Sequence, residues 1–125
     1  MQYSVRAVPK TEQLGRLWKI LNDGTVERQE PDGPEIVASM KRAVVTGQSV
    51  EWYETCFCNP PLNHERTTIY DQFFTGIQIQ PEADRTGSPG DSFWQYLREQ
   101  FESSVERGGV EVQITSLKHV PIRVL

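Results

Sequence analysis

Two runs of the chain, Val50–Cys58 and Thr67–Gln80, are dense in aromatic and β-branched residues, and Asn59-Pro60-Pro61 lies between them. Side chains of that kind suit a pleated, half-buried surface. The two runs therefore predict a β-hairpin. Both its faces carry aromatics, so one can pack on helices while the second needs a cover of its own.

The flanking segments supply the helices. Gln2–Val8 alternates Tyr3, Val5 and Ala7 like a first strand and stops at Pro9. Leu14, Leu17, Trp18 and Leu21 fall at helical spacing, with Asn22-Asp23-Gly24 as the end. A hairpin of Leu17–Leu21 with Thr25–Arg28 also fits these residues. The four apolar positions on one stripe favour the helix. Pro34 suits a first helical turn, with Glu35 complementing its dipole. Ile36, Val37, Met40, Ala43 and Val44 then share a face, up to Gly47. Ser92 and Gln95 match a capping box ahead of an amphipathic helix of Phe93, Trp94, Leu97, Phe101 and Val105, closed by Gly108-Gly109. Val110–Ile114 and Val120–Val124 read as closing strands.

This order predicts one α+β domain over residues 1–125 with a mainly antiparallel sheet and helices on one face. The topology it favours is a ferredoxin-like, split β-α-β variant with an extra strand.

Composition narrows the function classes. With 37% hydrophobic and 24% charged residues, the chain has the make-up of an ordinary globular protein. A net charge of −4 with interspersed signs lacks the basic stripe that nucleic acid requires. No apolar run approaches the ~20 residues of a membrane helix. No secretory leader precedes the alternating residues that follow Met1, so a cytoplasmic protein is expected. Two cysteines make no disulfide framework.

Those cysteines raise the sharpest chemical question. On a continuous strand Cys56 and Cys58 point to one face about 7 Å apart, too far for an unstrained disulfide and wide for one zinc ion. A metal would need the strand to break at Cys58. Cys56, Cys58, His64 and His119 are all the thiols and imidazoles of the chain, which allows a Cys2His2 set only on paper. The expectation is no metal and no cofactor. Cys58 with His64 is a weaker candidate for nucleophilic chemistry, without an evident third residue to orient the base.

Strand register governs the carboxylates. If Trp52 pairs with Phe73, Glu54 stands opposite Asp71, and two carboxyls that close form an acid–base device. Tyr53, Phe57, Tyr70 and Phe74 would occupy the opposite face, an apolar surface suited to a second copy or a protein partner. Gly87, Gly90 and Ser92, at the entry to the last helix, are candidates to hold an anion. The reading that leads is a binding or adaptor protein acting through the aromatic surface and self-associating. A small enzyme or ligand-binding protein with a pocket at Glu54/Asp71 or Cys58/His64 is the alternative, followed by a metal-stabilised domain.

Overall fold

The computed structural model describes residues 1–81 and 90–102. They form a five-stranded antiparallel sheet and four helices, an α+β arrangement. The strands are β1 (Gln2–Pro9), β2 (Val44–Thr46), β3 (Ser49–Thr55), β4 (Phe74–Pro81) and β5 (Asp91–Ser92), in the order β4-β1-β3-β2-β5. The helices are α1 (Leu14–Asn22), α2 (Gly33–Arg42), α3 (63–73) and α4 (93–102). Both α3 and α4 contain a π-helical stretch, Arg66–Tyr70 and Arg98–Glu102. Among the described residues no helix is long and apolar enough to cross a membrane.

One face of the sheet is dry because the strands alternate. Tyr3, Val5 and Ala7 of β1 and Val50, Trp52 and Glu54 of β3 are buried, while Arg6 and Val8 of β1 are exposed. The helices bring matching stripes to that face: Leu14, Leu17, Trp18 and Leu21 from α1, Ile36, Val37 and Met40 from α2, Phe93 and Leu97 from α4. Burying a side chain of this size stabilises by roughly 1.5–3 kcal/mol. Trp18 meets Trp94 edge to face at 4.9 Å, fixing α1 against α4. The hydroxyl of Ser92 accepts the Gln95 amide at 3.1 Å, which caps α4 as the sequence predicts.

Three expectations are overturned. The aromatic hairpin does not exist: β3 pairs with β1 and β2, and β4 pairs with β1. Residues 67–73 are helical, because Ile69, Tyr70 and Phe73 form a helical stripe that packs into the core. Glu54 therefore stands opposite Tyr3 and Trp52 opposite Val5, so neither the Glu54–Asp71 nor the Trp52–Phe73 pair forms.

The strand of Val50–Cys58 stops at Thr55. The second helix likewise stops short of Gly47. Ala43 turns extended, and Val44–Thr46 becomes β2, joined to β3 by a tight turn in which Gly47 holds φ 64°. Residue 90 must also be glycine, since a Cβ there would meet the Val45 carbonyl at 2.4 Å. The stretch of 11–22 is a helix, as favoured. The predicted strands Val110–Ile114 and Val120–Val124, with His119 between them, lie outside the described residues.

Candidate functional site: a thiol–carboxyl cluster beyond β3

β2 is three residues long, so among the described residues the second half of β3 has no strand on that side. α2 takes its place. The Tyr53 carbonyl accepts from Arg42 Nη2 at 2.7 Å and from Ser39 at 3.4 Å, and the Thr55 amide donates to Glu35 Oε2 at 2.9 Å. These bonds satisfy an edge that would otherwise be open and carry the chain off the sheet after Thr55.

There the regular strand ends. The Cys56 amide donates to the Met1 carbonyl at 2.9 Å, and the Cys58 amide donates to Cys56 Sγ at 3.2 Å. Asn59-Pro60-Pro61 follows, then Leu62, fully buried with φ 59°. A leucine in the left-handed region is strained, and it starts α3. The π-helical stretch then sets the site. Five residues apart, Glu65 and Tyr70 would face different ways on a regular helix of 3.6 residues per turn. With the wider turn between them, both reach Glu54.

Four groups converge. Glu54 Oε1 accepts from Trp52 Nε1 at 2.9 Å and from the Tyr70 hydroxyl at 2.6 Å. Glu54 Oε2 receives no donor among the described residues. Glu65 Oε1 accepts from the thiols of Cys56 at 3.6 Å and Cys58 at 3.4 Å. Both carboxyls are buried, at 0% and 1% exposure. Burial pushes the Glu54 carboxyl up to about 8; its bonds from Tyr70 and Trp52 oppose the rise, and neighbouring Glu65 adds to it. Burial also lifts the Cys56 thiol to about 12, and the Tyr70 hydroxyl rises well above its usual value through burial and then the charge of Glu54.

The cluster opens on a cleft of about 440 Å³ whose walls include Pro31, Asp32, Glu35, Phe57, Cys58 and Glu65. Glu35 pairs with Arg42 at 3.0 Å, and Asp32 contacts His64 Nδ1. Glu65 has no ion-pair partner among the described residues.

The candidates read from sequence divide accordingly. Glu54 and Cys58 come together through Glu65. Asp71 is exposed and bonded to Arg66 at 3.1 Å, away from the cluster. His64 is held by Asp32 and forms no dyad with Cys58. Tyr70 and Phe74 are core residues, their rings tilted against Trp52 with centroids at 5.1 and 5.3 Å, so they contribute no outer surface. Tyr53 is half-buried, and Phe57 is 87% exposed. Of the anion candidates, Ser92 uses its hydroxyl as the cap and lines a separate cleft beside Asp91 and Glu99, whose carboxylates repel anions. Gly90 packs against β2, and Gly87 lies outside the described residues. Glu65 and the role of Tyr70 are not evident from sequence; the only local signal is a Cys-x-Cys followed by the start of a helix.

No protein-family model, curated protein or solved structure matches this chain.

Proposed function

We propose that the protein is a small ligand-binding domain that takes a cationic group into the cleft beyond β3. One observation carries this reading: Glu65 is buried beside a second carboxyl and two thiols, with no basic partner among the described residues. Buried carboxyls are normally paired, because unpaired burial is costly. A cation in the cleft supplies the missing partner. Phe57 at the mouth offers an aromatic face to the same ligand. The test is an amide-resolved NMR titration with methylguanidinium, methylammonium and zinc ions in turn. Shifts confined to Thr55–Cys58 and Glu65 are expected, lost in Glu65→Gln for the two organic cations and weakened for zinc. Silence towards all three cations overturns the reading.

A second reading keeps a protein partner or a second copy, and the exposure of Phe57 favours it. Sedimentation velocity decides it: a concentration-dependent shift abolished by Phe57→Ser supports self-association, and a monomer at every concentration removes it. We also infer a ferredoxin-like frame. The order β1-α1-α2-β2-β3-α3-β4 and the strand sequence β4-β1-β3-β2 support a split β-α-β variant, with β5 as the extra strand.

A further inference from the structure

The placement of the two sulfurs beyond the end of β3 removes the geometric objection that a Cys-x-Cys on a strand raises against a metal. β3 ends at Thr55, and beyond it the amide of Cys58 bonds the sulfur of Cys56 at 3.2 Å. Their sulfurs and a carboxylate oxygen of Glu65 all lie within 4.8 Å of one another.

Those separations have a specific meaning. An ion held tetrahedrally, with metal–sulfur bonds of about 2.3 Å and metal–oxygen bonds of about 2.1 Å, has sulfur–oxygen edges of about 3.6 Å. The two sulfur–oxygen distances are 3.6 and 3.4 Å. We propose that Cys56, Cys58 and Glu65 bind one thiophilic divalent cation of the zinc type, with its fourth position open to the cleft. This rests on the cation-binding reading above and names the cation.

The donor set selects the metal. Two sulfurs and one carboxylate favour zinc over magnesium or calcium, which take oxygen ligands. Each thiol loses its proton on ligation, so two protons pass to solvent for each ion bound. The Cys58 amide pointing at Cys56 Sγ supports negative charge on that sulfur. Glu54 stands behind Glu65, itself held by Tyr70 and Trp52, in the position from which an outer group orients a ligand. Three protein ligands and an open fourth position are the pattern of a site that binds a further molecule, not of a closed structural one.

The experiment is a cobalt(II) titration of the reduced, chelator-washed protein under argon. A sulfur-to-cobalt charge-transfer band and tetrahedral d–d bands should saturate at one ion per chain and vanish when zinc is added. Cys58→Ser should weaken binding by well over an order of magnitude. Cys56→Ser should do the same, with circular dichroism confirming that each variant is folded. Glu65→Gln should keep a sulfur band at reduced affinity. Absence of the band, or a band that persists in both serine variants, overturns the metal site. If the organic cations still shift the cleft amides while cobalt gives no band, the cation cleft stands and the metal site falls. If neither produces a signal, both fall.

Discussion

The hydroxyl of Tyr70 donates to Oε1 of Glu54 across 2.6 Å, tying α3 to β3 inside the core. Neither group reaches water, so removing the donor leaves the carboxyl with one bond where it had two. Tyr70→Phe is expected to cost about 1–3 kcal/mol, read from urea unfolding. A loss within the scatter of surface substitutions, about 0.5 kcal/mol, contradicts this role.

The same carboxyl sets a pH dependence. Glu54 titrates near 8 when folded, against an ordinary value of 4.5. Between those values the folded state binds more protons than the unfolded state. Its stability contribution is complete below the unfolded value and is lost as pH rises through the folded one. Each tenfold change in proton affinity is worth about 1.4 kcal/mol, so the loss across the window amounts to several kcal/mol. Metal-free wild type should therefore lose stability from about pH 5 to pH 8.5. Glu54→Gln, which stays neutral, should show a much flatter profile. Parallel profiles of the two proteins would show that Glu54 does not hold its proton.

Leu97 is fully buried in α4, within the main core. Leu97→Ala is expected to cost about 2–5 kcal/mol. A cost below about 0.5 kcal/mol would place that face of α4 in solvent.

The two thiols should differ in reactivity. Cys56 is buried and Cys58 half-buried at the cleft. In native, metal-free protein a disulfide reagent should modify Cys58 first, and Cys56 only with unfolding. Peptide mapping after limited labelling gives the order. Equal rates would contradict the burial of Cys56.

Local patterns made part of this architecture legible. The alternation of Tyr3, Val5 and Ala7, the stripe of α1 and the Ser92 cap all hold in the structure, because each is decided by near neighbours in sequence. Residues 67–73 misled for a physical reason. Thr67, Thr68, Ile69, Tyr70 and Phe73 carry β propensity, yet α3 is chosen by what Ile69, Tyr70 and Phe73 bury. The end of β3 was hidden for a similar reason: it falls at Thr55, whose amide bonds Glu35, 20 residues away. Glu54 and Cys58 could be named as candidates from their chemistry alone. Glu65 could not, because its place beside them depends on that strand end and on the π-helical stretch of α3.

The most direct test of the site is X-ray absorption at the zinc edge of protein loaded with one equivalent of zinc. Two sulfur neighbours at about 2.3 Å and oxygen neighbours at about 2.0–2.2 Å are the expected result. A shell of oxygen and nitrogen alone would contradict it, because the ion would then lie away from Cys56 and Cys58.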